Sequence, residues 1–376
     1  MFDERVMRDT RAVIDLSAVA DSIRGIAKLV GRGVEVMAVV KADGYGHGAV
    51  RVARTALASG ATRLAVAYAQ EAVELREAGV SAPILVLGNA PADSAETLLR
   101  HDLVQSVCDT DLPRALSALS SADRPARVHV KVDTGMGRIG VMPEDTPDYV
   151  AFLRTLPNLI VEGIFTHFPK SDEADPTFTN GQIGTFTGLL AELSSRGVEI
   201  PLRHMANSGG VLAFRASYLN LVRPGIMIYG LYPSKEVART IPLREAMSLV
   251  TRIRFIKRVP PGTPVSYGGT YVTKDAATVA TLPVGYADGY RRLLSNRYEA
   301  LVRGARVPII GRVCMDMTMI DVTHVRGAAV GDEVVLIGKQ GDQEISIDDM
   351  ADALSTINYE ITCLVGKRVP RVYING

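Results

Sequence analysis

The sequence predicts an α/β chain, a parallel (β/α)8 barrel followed by a mainly β domain. Three observations lead there. Over roughly the first 230 residues, short β-branched runs alternate with amphipathic helical stretches. Eight such runs fit a span close to the roughly 250 residues that a barrel needs. After about Arg244 the texture turns to short strands cut by Pro-Pro-Gly, Gly-Gly and Gly-Asp turns. A doubly wound sheet is the alternative, because periodicity does not report whether a sheet closes.

In chain order, the strand runs are 34–40, 63–67, 84–87, 103–107, 127–132, 159–165, 202–205 and 219–222. Helical patterns at 70–78, 95–101, 112–119, 149–155 and 182–196 lie between them. These elements predict a barrel domain over 12–244. In the second domain, 245–376, strands are expected at 250–259, 277–282, 300–302, 307–311, 317–322 and 333–337, with one clear helix at 347–357. No internal repeat or low-complexity tract is evident.

Composition narrows the function. The 376 residues are 47% hydrophobic and 22% charged, ordinary usage for a soluble globular chain with no need of disulfides. Lys+Arg 42 against Asp+Glu 41 leaves +1, so no overall field recruits nucleic acid or an anionic membrane. No apolar run approaches the roughly 18 residues of a membrane span. The stretch from Met1 to Arg11 alternates charged and apolar residues and lacks the apolar core of a signal peptide. Cys108, Cys314 and Cys363 stand far apart, with neither a disulfide framework nor a thiolate metal site indicated. A cytoplasmic enzyme is the expectation.

A parallel barrel carries its active site at the C-terminal ends of its strands. The first strand ends in Lys41-Ala-Asp-Gly-Tyr45-Gly-His47-Gly, the fifth in Lys131-Val-Asp-Thr-Gly-Met-Gly-Arg138, and the sixth in Thr166-His167-Phe168. The seventh leads to His204-Met-Ala-Asn207-Ser208-Gly-Gly and the eighth to Arg223-Pro-Gly225-Ile226. Lys41 follows a run that is apolar save for Glu35, so its amine enters a partly desolvated site, which favours a nucleophilic, uncharged form. An isolated strand-end lysine is usually just solvated; the adjacent glycines, Tyr45 and His47 weigh against that here, since glycines let backbone approach a ligand closely. The loops after the seventh and eighth strands commonly cradle a phosphate in barrels, which favours that role for Asn207-Ser208-Gly-Gly and Gly225-Ile226 over a plain turn.

Other motifs carry less. Gly135-Met-Gly-Arg-Ile-Gly140 spells G-x-G-x-x-G with Glu162 about twenty residues on. Pro143 and Pro147 interrupt the helix that would carry a pyrophosphate, so a dinucleotide site is rejected. His47, His101, His129, His167, His204 and His324 show no metal-ligand spacing. His167 and His204 fit better as residues that orient a cofactor or satisfy strand-end hydrogen bonds. Cys314 reads as a structural thiol unless the fold brings a histidine to it.

Together, the Lys41 octapeptide, the segment from Lys131 to Gly140, Arg223-Pro-Gly-Ile, Val265-Ser-Tyr267-Gly and Cys314-Met-Asp316 resemble the pyridoxal-phosphate (PLP)-dependent alanine racemases. The likeness runs in order from about Arg11 to Tyr373, and the Lys41 octapeptide and the Gly-Arg-Val-Cys-Met-Asp segment are its most specific parts. It implies a PLP-binding barrel and a C-terminal β domain joined by an N-terminal strand within residues 1–11. It implies L- and D-alanine as substrates, D-alanine supply for peptidoglycan, and a homodimer with shared active sites.

Residue by residue, the resemblance implies that Lys41 forms a Schiff base with PLP and acts as one base, and that Tyr267 of the other subunit is the second. It assigns the phosphate to Tyr45, Ser208, Gly225, Ile226 and Tyr359, with Asn207 beside them. Arg138 would meet the pyridine oxygen and substrate, His167 the ring, and Arg223 the ring nitrogen. Met315 would contact the substrate carboxylate, with Cys314 and Asp316 lining that region. Asp172, Tyr286, Arg292 and Arg312 would line a substrate corridor, and Lys131 is a candidate for carbamylation. One departure is Pro169-Lys170, where the family usually has small residues.

The chemistry agrees with these assignments. Racemisation removes the α-proton from one face and returns it on the other, so two bases must flank the reacting carbon. An arginine cannot surrender its proton to a ring nitrogen, which keeps the electron sink weak and disfavours transamination. Two alternatives are distinguishable, and a third stays open. A PLP carrier lacks the second domain and so Tyr267 and Cys314. A decarboxylase of the same architecture uses a Cys–Asp pair but places a carboxylate where Arg223 stands. A serine or broad-specificity racemase differs only in pocket detail, because one hydroxyl changes selectivity modestly.

Overall fold

All eight expected barrel strands form, and the first seven pair in parallel with their neighbours in chain order. In the computed structural model, which describes residues 8–376, they are Glu35–Val39, Arg63–Val66, Ile84–Val86, Val104–Val107, Ala126–Lys131, Leu159–Phe165, Leu202–His204 and Leu221–Val222. The first strand also pairs with the eighth, which excludes an open doubly wound sheet. Among the described residues no ladder joins the seventh and eighth strands. Two backbone bonds cross that seam: Asn220 N–H donates to the Arg203 carbonyl (3.4 Å) and Arg223 N–H to the Ala206 carbonyl (2.9 Å).

The apolar runs are explained by burial on both faces. Val36, Met37, Ala38, Leu64, Ala65, Val66, Val128 and Val130 are all at most 2% exposed. Outside the barrel, helix Ala49–Ala58 buries Ala49, Val52, Ala53 and Ala56, the i, i+3, i+4, i+7 stripe of a helix lying on a sheet.

The chain divides into two units, one of Ala18–Gly44 and Ala49–Arg244, the other of the residues up to Ser17, Tyr45–Gly48 and Glu245–Gly376. The second unit holds a seven-stranded sheet in which Arg11–Asp15 lies between Met247–Arg252, antiparallel to it, and Arg371–Ile374, parallel to it. Of the segment 1–11, expected to supply an N-terminal strand, residues 1–7 lie outside the described ones, and the strand begins at Arg11. A three-stranded sheet of Phe255–Val259, Ala277–Leu282 and Thr318–Asp321 completes the β framework.

Two expectations for this unit are corrected. The run 250–259 is two strands in different sheets. Ile253 N–H bonds the Asp332 carbonyl while Arg254 N–H bonds the Thr281 carbonyl, so the chain changes partners at that step. The helix expected over 347–357 ends at Ala353, and a second, Asn358–Leu364, follows. Ser355 between them takes φ 54°, a left-handed conformation that no right-handed helix continues through.

Candidate active site

Immediately after the first barrel strand and Val40, the backbone from Ala42 to Tyr45 turns left-handed, with φ between 50° and 60° at four successive residues. Gly44 N–H closes the turn on the Val40 carbonyl at 2.9 Å. Non-glycine residues pay about 1–2 kcal/mol each for this conformation, and three of the four are not glycine. The turn is held from outside. Glu71 Oε1 accepts from Ala42 N–H (2.6 Å), and Asp43 Oδ1 accepts from Ala49 N–H (2.9 Å). The other Glu71 oxygen accepts from Ala67 and Tyr68 N–H, tying together the loops after the first two strands. Lys41 is thereby set at the C-terminal mouth of the barrel on a strained, braced turn.

The glycines beyond Lys41, expected from sequence to let backbone approach a ligand, also make room for the chain's own C-terminal segment. A Cβ on Gly46 would stand 2.1 Å from the Thr362 carbonyl oxygen, and one on Gly48 would stand 1.8 Å from the Tyr373 hydroxyl. Their missing side chains admit the C-terminal segment.

At the same barrel mouth, four basic side chains, Lys41, Lys131, Arg138 and Arg223, converge on His167. Lys131 is 2% exposed, with Nζ 4.8 Å from the centre of the Phe165 ring, and no hydrogen bond or ion pair among the described residues engages that nitrogen. Burial, then Arg223 and Arg138, lower its pKa to about 7. Arg223, 3% exposed, donates to His204 Nδ1 (2.9 Å), the Thr166 carbonyl (2.7 Å), the Met205 carbonyl (3.2 Å) and His167 Nδ1 (3.3 Å). None of these is a carboxylate. Burial lowers its pKa to about 9, which still leaves a cation at neutral pH. Desolvation, with Arg223, Lys131, Arg138 and Lys41, keeps His167 neutral by pushing its pKa far down.

Arg138 is exposed, but its turn is anchored. Asp133 Oδ1 accepts from the N–H groups of Gly135, Met136 and Gly137, and Oδ2 from Arg138 N–H at 3.2 Å. Burial opposes its ionisation, and these four donors outweigh burial, so its pKa lies below the usual range. The G-x-G-x-x-G segment thus wraps a carboxylate of its own chain.

On the far side of the mouth, Asn207 caps helix Ser208–Ala213, its Oδ1 accepting from Gly210 N–H (3.0 Å) and Ser171 Oγ (2.7 Å). Ser208 Oγ accepts from Gly225 N–H at 3.0 Å, while Ile226 is wholly buried. Asp172 is half-buried, and desolvation raises its pKa.

The remaining predicted site residues belong to the second unit. The Tyr45 and Tyr359 rings lie 6.1 Å apart. Tyr267 is 71% exposed and opens a tight turn, Tyr267–Gly269. Behind it, Ser266 Oγ donates to the Arg312 carbonyl (2.6 Å) and lies 3.3 Å from Cys314 Sγ. Among the described residues, the Cys314 thiol meets Ser266 Oγ and the Arg312 carbonyl, and no imidazole is among its partners. Tyr286 N–H donates to the Cys314 carbonyl, and Ala287 N–H to the Met315 carbonyl. Gly285 permits this approach, since a Cβ there would stand 2.3 Å from both oxygens. Asp316 pairs with Arg368, which also reaches the buried Asp288. A cavity of about 760 Å³ is lined by Tyr267, Cys314, Met315 and Asp316 among others. Arg292 is exposed, on a short turn whose Ser295 Oγ accepts from Val313 N–H, next to Arg312.

The same two-part architecture recurs in known proteins. Residues 14–233 match the alanine racemase N-terminal domain, and residues 246–373 match the C-terminal domain. The chain belongs to the alanine racemase family. An alanine racemase of Halothermothrix orenii is 47% identical over 99% of both chains. The crystal structure of alanine racemase from E. faecalis superposes with a TM-score of 0.94 at 40% identity, covering 98% of this chain and 99% of that one. An alanine racemase from Bacillus anthracis, solved with bound L-Ala-P, gives 0.93 at 40% identity over 98% and 96%. A histidine racemase from Leuconostoc mesenteroides gives 0.91 at 29% identity over 98% and 99%, so racemases of this fold differ in substrate.

Sequence reasoning missed the residues that brace the alanine racemase framework here. Asp133, two positions before Gly135, carries the Asx-turn signal of an aspartate followed by glycine. Glu71, in a helix, and Glu162, in a strand, offered no local signal. No helix among the described residues is long and apolar enough to cross a membrane. Among them, no group of three or more His, Cys, Asp or Glu side chains is placed to hold a metal ion.

Proposed function

We propose that the chain interconverts L- and D-alanine with PLP as cofactor, through two bases, Lys41 and Tyr267. The observation that carries this reading is the set of Lys41, Lys131, Arg138 and Arg223 about the neutral His167, a basic mouth in which the buried Lys131 amine has no hydrogen-bonding partner among the described residues. Such a mouth fits a cofactor with a phosphate and a phenolate oxygen, and the aldehyde of that cofactor needs an amine like that of Lys41.

When bound, PLP supplies the electron sink for the carbanion at the substrate α-carbon. The amine of Lys41 takes the α-proton on one face and the hydroxyl of Tyr267 returns one on the other, the roles exchanging with direction. Arg223 can only donate, so a ring nitrogen opposite it keeps its lone pair. Tyr45, Asn207, Ser208, Gly225, Ile226 and Tyr359 hold the phosphate, and Arg138 and Met315 the substrate carboxylate, with Cys314 and Asp316 alongside. Asp172, Tyr286, Arg292 and Arg312 line the corridor.

Lys131 is poised for carbamylation. Near neutrality a large fraction of its amine is uncharged, the form that adds CO2 with release of a proton, and the resulting anion pairs with Arg138. A mass increase of one CO2 on Lys131 in the native protein supports this; an unmodified amine in CO2-equilibrated buffer overturns it.

Tyr267 is exposed within its own chain, which supports a homodimer that shares its active sites. A cytoplasmic location and D-alanine supply to peptidoglycan complete the reading, with no role for nucleic acid or membrane. The deciding experiment is a chiral assay of D-alanine formation from L-alanine with added PLP, beside L-serine, L-lysine and L-ornithine. Preferential D-alanine formation supports the proposal, and turnover of another substrate without alanine overturns it.

A further inference from the structure

A chain of polar groups, buried from Arg223 to His129 and partly exposed beyond, runs through the barrel interior from the active-site mouth towards the opposite end. Arg223 has only donors, so His204 Nδ1, 2.9 Å away, accepts. Both His204 and His129 are wholly desolvated, which keeps them neutral. The single ring proton of His204 therefore sits on Nε2 and is donated to His129 Nδ1 at 2.8 Å. The His129 proton in turn sits on Nε2, which faces Glu162 Oε2 at 3.7 Å. Neither of those two buried atoms has a closer polar partner. The other Glu162 oxygen accepts from Arg63 Nη1 at 2.9 Å, and Arg63 Nε reaches Glu35 at 3.1 Å. Two carboxylates thus share one guanidinium, leaving net negative charge at the end remote from Arg223.

The backbone is shaped for this path. The strands Ala126–Lys131 and Leu159–Phe165 pair Val128 with Val161 but His129 with Gly163, so Glu162 is the extra residue of a β-bulge. A bulge re-aims a side chain that a regular strand would direct elsewhere. A Cβ on Gly163 would stand 2.5 Å from the His129 ring, so only glycine leaves room for the imidazole.

We propose that Glu162 and His129 are positioning residues for Arg223, supplying its counter-charge through two neutral imidazoles and so leaving its outward face free for the site. A carboxylate in direct contact would balance the buried guanidinium equally well but would occupy its donors. The relay itself stands on geometry alone; its effect on turnover rests on the function proposed above.

Glu162→Gln keeps the shape and removes the charge, whereas Glu162→Asp keeps the charge. In cofactor-free protein, NMR of the imidazoles should show single, neutral Nε2–H forms of His129 and His204, with the His204 Nε2 proton strongly deshielded by its 2.8 Å bond to His129. The deshielding should weaken in Glu162→Gln and persist in Glu162→Asp. With PLP, Glu162→Gln should lower kcat about tenfold, as loss of an outer partner of an oriented histidine does, with KM nearly unchanged. Should Glu162→Gln fail to fold, His129→Phe breaks the relay one step nearer Arg223 and must shift the His204 proton likewise. Folded Glu162→Gln or His129→Phe protein with the His204 signal of the wild type overturns the relay. Absence of alanine turnover in the wild type overturns the proposed function and leaves the imidazole result to decide the relay.

Discussion

Lys131 and Arg223 stand over the same aromatic ring, Phe165, at 4.8 and 5.1 Å from its centre. His204 stacks on that ring at 4.8 Å with the planes only 5° apart. Burial and the neighbouring Arg223 guanidinium raise the cost of charging Lys131.

Lys131 should therefore destabilise the unmodified fold in a pH-dependent way. Its folded pKa, about 7, lies below the ordinary 10.5, so between those values the unfolded chain binds more protons and stability rises with pH. The penalty is full below about pH 7 and fades as pH approaches 10.5. At neutral pH it is on the order of 4 kcal/mol. In CO2-free buffer Lys131→Met should thus melt higher than wild type at pH 7, with the gap closing towards pH 10. An equal gap at both pH values would refute this origin.

Lys41→Ala should abolish the visible absorbance of bound PLP and lower turnover on the order of 10³-fold or more. The reason is the braced left-handed turn that presents this amine. A borohydride-reducible PLP adduct on the same peptide of the mutant would reassign the attachment site.

Arg223→Glu should favour a protonated ring nitrogen and strengthen the electron sink. Racemisation should slow, and transamination product with a new long-wavelength absorption band should appear. The carboxylate would also face the Thr166 and Met205 carbonyls that Arg223 now satisfies, so a lower melting temperature is expected. An unchanged product ratio in folded mutant would remove Arg223 from this role.

Mixing Lys41→Ala with Tyr267→Ala under conditions of subunit exchange should restore activity. If Tyr267 acts in the partner's site, each mixed dimer has one doubly defective and one intact site. Random exchange then returns roughly a quarter of wild-type activity when sites act independently. Verified exchange without recovery would place both bases in one chain.

The barrel was legible because its signals are local. Alternating runs report strands and helices, and the residues that follow each strand, such as Lys41, Lys131 and Arg223, fall at the reactive end of any parallel barrel. That local logic also located Asn207, Ser208 and Gly225. It failed where one residue's conformation depends on a distant partner. The strand break at Ile253 exists because Asp332 leads into a strand of one sheet while Thr281 lies in another. The glycines after Lys41 are explained by Thr362 and Tyr373.

The sequence by itself determined the fold class and which residues follow each barrel strand, since strand periodicity and chain order settle these. Only tertiary structure decided how those residues are charged and aimed. His129 meets His204 across 75 residues, and Arg63 meets Glu162 across 99, where a bulge turns Glu162 and a missing Cβ at Gly163 admits the ring. Desolvation and proton direction belong to such long-range contacts, because they arise only when the closed sheet excludes water from groups far apart in the chain.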